Sequence, residues 1–161
     1  MFAQLNAFLF FAFNCFLMKF RILDKIAVAD IAFEAFGKNE NELFENAAFA
    51  LFEIMANTKK LKGVKKILVK LSSDSLEGLM YDWLSELVFL KDTKSVVFGQ
   101  FVVKVSKKKE KFFLNAKVSA EKIDYKKNRV LLRNDVKAIT KHLFEIKKTK
   151  KGFSVLVIPD I

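Results

Sequence analysis

Between Lys19 and Phe36 the chain alternates apolar and polar positions with period two, first in KFRIL at 19–23 and again in VADIAFEAF at 28–36. Alternation puts successive side chains on opposite faces of an extended chain, so both stretches predict strands. In the second, Val28, Asp30, Ala32, Glu34 and Phe36 share one face, and Ala29, Ile31, Phe33 and Ala35 the other. Gly37 closes that strand, and the period then lengthens. Asn39 stands three residues before Glu42 in a capping-box arrangement, followed by Leu43, Ala47, Ala50, Leu51 and Ile54 at helical spacing. This predicts a helix running to about Ala56. VKKILVKL at 64–71 reads as the next strand. Asp74 with Glu77 repeats the capping pattern, and Leu76, Leu79, Met80, Trp83, Leu84, Leu87 and Val88 make a second amphipathic helix whose Trp is core. After residue 94 strand follows strand: SVVFGQFVVKV, KFFLNAKVSA, RVLL, VKAITKHLFEI and GFSVLVIPD. Their short, Lys-rich connections favour antiparallel hairpins. The expected architecture is α+β, a largely antiparallel β-sheet system with two amphipathic α-helices packed on it.

Length and composition restrict this picture without changing it. A chain of 161 residues that is 52% hydrophobic can bury one sizeable core, and five Gly with one Pro leave little room for linkers. A single domain is expected over residues 18–161. Residues 1–17 stand apart, because they carry no charge and hold six of the nineteen Phe. A membrane span wants about 20 apolar residues, and a secretory signal wants a basic leading region and a small-residue cleavage site. Gln4, Asn6 and Asn14 interrupt the stretch. The preferred reading is that Met18 is the start and the preceding extension is not native. A short membrane-associating anchor and a structured helix are the alternatives. Cys15 has no partner for an internal disulfide, and with His142 as the one histidine the usual thiolate zinc site is out of reach. A reducing, cytoplasmic location fits.

Charge adds a question about partners. Basic residues outnumber acidic ones 29 to 18, for a net +11. The lysines cluster at 59–60, 62–66, 107–111, 126–127 and 147–151, at apparent turns between apolar segments. Solvated hairpin tips that guard strand edges explain such clusters. The sharper reading is that several tips line up to meet RNA or another phosphate-bearing partner. No basic run interleaved with aromatics favours it. Catalytic signatures are missing: there is no Gly-rich phosphate loop, no GxSxG elbow and no paired His. The usual pairs of nucleophile and base are barely attainable with one His and one Cys.

What remains is a few oddly placed charges. Asp30 lies inside an apolar strand, where a half-buried carboxylate is costly unless paired or metal-bound; otherwise it faces solvent. The chain closes with VLVIPDI, which sets Asp160 beside the terminal carboxylate of Ile161. Two anions that close raise each other's proton affinity unless a cation or donor neutralises them. Lys137, in DVKAIT, heads an apolar strand and offers an amine. Taken together, Asp30, Asp160, Ile161 and Lys137 suggest an oxygen-rich cation site suited to Ca²⁺ or Mg²⁺.

The succession ADIAFEAFGKNENELFENAAFALFEIM, SLEGLMYDWLSELVFL, DVKAITKHLFEI and VLVIPDI resembles the archease family over essentially all of Lys19 to Ile161. The resemblance implies a small metal-binding accessory protein, not an enzyme. Its implied role is in tRNA processing, promoting guanylylation and turnover of an RtcB-type tRNA-splicing RNA ligase. It further implies that Asp30 corresponds to the acid closing the family's His-Thr-Ala-Asp stretch, and that Asp160 with Ile161 completes a Ca²⁺-type site, Mg²⁺ or Mn²⁺ being alternatives. Lys137 corresponds to the lysine of the family's Val-Lys-Ala segment, among those needed for ligase activation. One departure is visible: Ala27 and Val28 stand where the family usually has His and Thr. The implied partner is the ligase, with RNA reached indirectly through it and no membrane unless residues 1–17 are a real anchor. Two other classes stay open: a metal-dependent phosphohydrolase working through Asp30 and Asp160, and a basic RNA-binding module driven by net charge.

Overall fold

The computed structural model describes residues 18–24, 31–127, 129 and 131–161. In chain order the elements are β1 (Phe20–Asp24), β2 (Ile31–Gly37), α1 (Glu40–Met55), a short 3-10 turn (Thr58–Lys60), β3 (Lys65–Ser73), α2 (Leu76–Lys94), β4 (Val96–Lys108), β5 (Lys111–Lys122), β6 (Ala138–Ile139), β7 (Glu145–Thr149), β8 (Gly152–Val157) and β9 (Pro159–Asp160). They form a four-stranded sheet ordered β1-β2-β8-β7, a three-stranded sheet ordered β3-β5-β4 and a two-stranded piece, β6-β9. Among the described residues every pairing is antiparallel and two helices pack on the sheets, so the fold is the α+β architecture that the periodicity predicts.

Helix α1 opens as the sequence says it should. Asn39 caps it, its Oδ1 accepting the Glu42 amide at 3.0 Å, while the Glu42 carboxylate takes the Lys38 amide at 2.9 Å. Burial of this helix exceeds what one apolar stripe requires. Leu43, Ala47, Ala50, Leu51 and Ile54 are buried as expected, but so are Phe44, Ala48, Phe52 and Met55. The reason is position: α1 packs on β2 and β8 of one sheet and on β4 of the other. A helix between two sheets must be apolar nearly all round, and its alanines let backbones approach closely. Its carboxylates and amides serve the second sheet too. Glu45 and Asn41 accept the Val103 and Val105 amides at 2.9 and 2.7 Å, closing the outer edge of β4.

The core gathers around aromatic rings. Phe52 lies 5.0 Å from Phe98 and 5.7 Å from Phe101, and Trp83 meets Phe101 edge-on at 6.5 Å. Such pairs add about 0.5–1.5 kcal/mol each beyond the area they bury. Trp83 is fully buried in α2, and its indole N–H donates to the Phe44 carbonyl at 3.1 Å, so burial leaves no polar atom stranded.

Several boundaries differ from the sequence reading. The cap of α2 is Ser75, whose hydroxyl accepts the Gly78 amide at 2.9 Å, one residue later than Asp74. Glu77 instead accepts the Ile146 amide at 3.0 Å and ties β7 to α2. RVLL gives no strand among the described residues; Leu132 makes one isolated bridge to Ala56. VKAITKHLFEI divides into β6 and β7, separated by a turn in which Leu143 takes φ 54°. GFSVLVIPD divides at Ile158, because β8 belongs to the four-stranded sheet and β9 to the two-stranded one. Pro159, which has no amide to give, sits at the start of β9 where none is needed. At the β7-β8 hairpin Gly152 has φ 137°, and a Cβ there would strike the Gly37 carbonyl.

Candidate metal centre at the carboxyl-terminal strand

The carboxyl-terminal segment reaches its place through the fold's central strands. β2 pairs with β8, Phe33 opposite Val157, so the opening end of β2 and the outgoing end of β8 lie side by side. β9 continues from that end of β8 through the buried Ile158. There it meets β6, with Ala138 opposite Asp160 and Ile139 opposite Pro159. The Lys137 amide donates to the Asp160 carbonyl at 2.8 Å, and the Thr140 hydroxyl donates to the Ile158 carbonyl at 2.7 Å. Lys137 and Asp160, 23 positions apart in sequence but neighbours in space, both present exposed side chains, while Ile161 is half-buried against the core. Asp30, Ala27 and Val28 lie outside the described residues.

A strap holds Lys137 at this point. Residues 131–135 run along the carboxyl end of α1 and take up its orphan carbonyls. The Arg133 amide donates to Met55 O at 2.8 Å, its guanidinium to Glu53 O at 2.7 Å, and the Asn134 amide to Ile54 O at 3.3 Å. The guanidinium also pairs with the Glu53 carboxylate at 2.8 Å. α1 has no basic residue of its own in its last turn, so Arg133 supplies the cation that the negative helix end favours. Next in the strap, Asp135 meets the Lys91 amine of α2 at 2.6 Å, and Val136 is fully buried.

Lys91 is the charged group that the sequence reading missed. Its side chain is only 7% exposed, and Asp92 and Asp135 pair with it at 2.7 and 2.6 Å. Burial by itself lowers an amine's pKa, but the hydrogen bonds and charges of Asp135 and Asp92 outweigh it and hold Lys91 above its ordinary value. A signal was available: Lys91 follows Leu84, Leu87 and Val88 at helical spacing on the buried stripe of α2. A lysine on that stripe demands an anionic partner.

The donor set at the chain end is of one chemical type. Asp160 offers a carboxylate and Ile161 the terminal one, both hard oxygens of the kind Ca²⁺ takes. A Ca²⁺ shell takes roughly six to eight such oxygens, which this pair by itself does not supply. Among the described residues no three His, Cys, Asp or Glu side chains converge. Nor, among them, is any helix long and apolar enough to cross a membrane.

Comparison with known proteins gives one consistent result. The model of the Archease protein family (MTH1598/TM1083) matches residues 20–161. The chain is similar to the protein archease of Methanosarcina barkeri, 38% identical over 134 residues, which is 83% of this chain and 90% of that one. The archease of Pyrococcus furiosus is 36% identical over 134 residues, 83% and 93% of the two chains. Among solved structures, Methanobacterium thermoautotrophicum protein 1598 superposes with a TM-score of 0.78 at 33% identity, over 89% of this chain and 99% of that one. A Thermotoga maritima archease, described as a possible chaperone, shares the fold with a TM-score of 0.56 at 18% identity, over 88% and 98%.

Proposed function

Because the chain belongs to the archease family, we propose that it is a metal-binding accessory protein that promotes guanylylation and turnover of an RtcB-type tRNA-splicing RNA ligase, with no catalysis of its own. The observation that carries this reading is the junction of β6 and β9, where the Lys137 amide donates to the Asp160 carbonyl and both side chains face solvent at the very end of the chain. A charged tip on short, well-anchored strands can enter a partner's active site without unfolding anything behind it.

Each residue has a part in this proposal. Asp160 and the Ile161 carboxylate supply oxygen ligands, with Asp30 as the third source, and the Lys137 amine balances part of their charge. A bound divalent cation, Ca²⁺ by its preference for oxygen, would supply positive charge that orients anionic groups of the ligase or its nucleotide. The chain contributes no nucleophile; the covalent guanylate forms on the ligase. Ala27 and Val28 bring no side-chain donor to such a site. The cytoplasm is where a tRNA-joining partner would be met.

The test is ligase guanylylation measured with and without this protein. Wild type is expected to raise the rate, and Asp160→Ala to lose at least about tenfold of that stimulation, equivalent to about 1.4 kcal/mol of lost stabilisation. Equal stimulation by the two proteins removes the tip from the mechanism.

A further inference from the structure

The three-stranded sheet has two faces of opposite character. Its register aligns Ile67, Val118 and Phe101 across the strands, then Val69, Ala116 and Val103, then Leu71, Leu114 and Val105, all turned to the core. The alternate positions face outward. There Lys66, Lys70, Lys104 and Lys117 are exposed, with Lys70 and Lys104 flanking Asn115 in one row and Lys117 lying between Leu68 and Val102 in the next. Leu68 is 68% exposed and Val102 66%. No ion pair among the described residues involves any of these four lysines. The one acid of the three strands, Glu121, is at the end of β5 and is occupied by the Lys62 amide at 2.6 Å.

We propose that this outward face docks single-stranded RNA through its phosphates. Like charges on neighbouring strands cost stability, and a surface shaped for solubility alone intersperses both signs. Here four cations share a face whose one acid, Glu121, stands at its edge beyond Ser119. Outward positions along a strand are about 6.7 Å apart and neighbouring strands about 4.8 Å apart, so Lys66 and Lys70 span about 13 Å and the three strands about 10 Å. A patch of that size can follow a few nucleotides of a single strand. Leu68 and Val102 give bases an apolar surface while the lysines hold the backbone. Of the four lysines only Lys66 belongs to a lysine cluster of the sequence, 62–66; the face itself becomes visible only through the pairing of β3 and β4 with β5. The choice of RNA over other polyanions rests on the ligase reading.

Binding of a labelled single-stranded RNA of about 20 nucleotides to the isolated chain, followed by fluorescence anisotropy over a range of salt, tests this. The variant Lys66→Gln/Lys70→Gln/Lys104→Gln/Lys117→Gln removes the face; Lys147→Gln/Lys148→Gln/Lys150→Gln/Lys151→Gln removes equal charge from the β7-β8 hairpin. All eight side chains are exposed, and circular dichroism checks that both variants fold. The face variant should bind at least about tenfold more weakly, with a log–log salt slope shallower by about three, since each phosphate contact on a single strand contributes about 0.7. The hairpin variant should match wild type. Equal losses in the two variants, no binding by wild type, or displacement of the RNA by polyglutamate at equal charge each overturn the proposal. No ligase is present in the measurement, so its outcome is independent of the guanylylation test.

Discussion

At the scale of single residues, Lys91 decides how the carboxyl-terminal site is supported. Its amine is held above 10.5 by Asp135 and Asp92 against the opposing effect of burial. A base whose folded pKa lies above its unfolded one stabilises the fold fully below the unfolded pKa and loses that contribution as pH rises through the folded one. The pair therefore stabilises the protein fully at neutral pH, and its contribution is lost only as pH rises past the ordinary lysine value and through the raised one of the folded state. Lys91→Met should cost only about 1 kcal/mol at pH 8, because Asp92 and Asp135 are 57% and 76% exposed and water can resolvate them. Urea midpoints at pH 8 and pH 11 measure the difference. The gap between wild type and Lys91→Met should shrink at the higher pH, and a constant gap would mean that the amine's charge is irrelevant. Asp135 was legible only as a neighbour of Lys137 in the sequence. That it pairs with a residue 44 positions earlier is a tertiary fact.

At the scale of elements, the caps separate what the chain states from what it leaves open. Asn39 and Glu42 form the first cap as the sequence spells it. At α2 two adjacent residues, Asp74 and Ser75, are both able to cap, and composition does not choose between them. The backbone does: Ser75 is extended at φ −137° and ψ 156°, which aims its hydroxyl at the Gly78 amide. Ser75→Ala should lower stability by about 1 kcal/mol, whereas Asp74→Ala should change it by less than about 0.5 kcal/mol. Chemical denaturation of both variants decides, and the reverse order would return the cap to Asp74. The split of the last two predicted strands has a similar origin. VKAITKHLFEI and GFSVLVIPD each read as one run in the sequence, yet each serves two sheets, so each divides where it changes partner.

At the scale of the whole molecule, α1 packs against both of the larger sheets, which predicts that they unfold as one cooperative body. Phe98 of β4 meets Phe52 of α1 edge to face with both rings fully buried, so truncating it opens a cavity between layers. Phe98→Ala should cost about 3–5 kcal/mol. Trp83, packed near Phe101, reports tertiary packing, and far-UV circular dichroism reports the sheets. In a single cooperative unit the two transitions coincide and shift together in the variant; separate midpoints would mean that the sheets melt independently.

The chain by itself determined much that depends on neighbours along it: helices α1 and α2, the long strands β3, β4 and β5, and the antiparallel class. Local periodicity and capping fix these, since they act over three or four residues. The tertiary structure alone decided which strand lies beside which. From that came the meeting of Lys137 with Asp160, the Lys91 pair under the strap and the lysine-rich face of β3, β5 and β4. Each of these is a contact between distant segments, set by how the core closes, so the order of side chains along the chain hints at a need for a partner, as at Lys91, without saying which residue meets it.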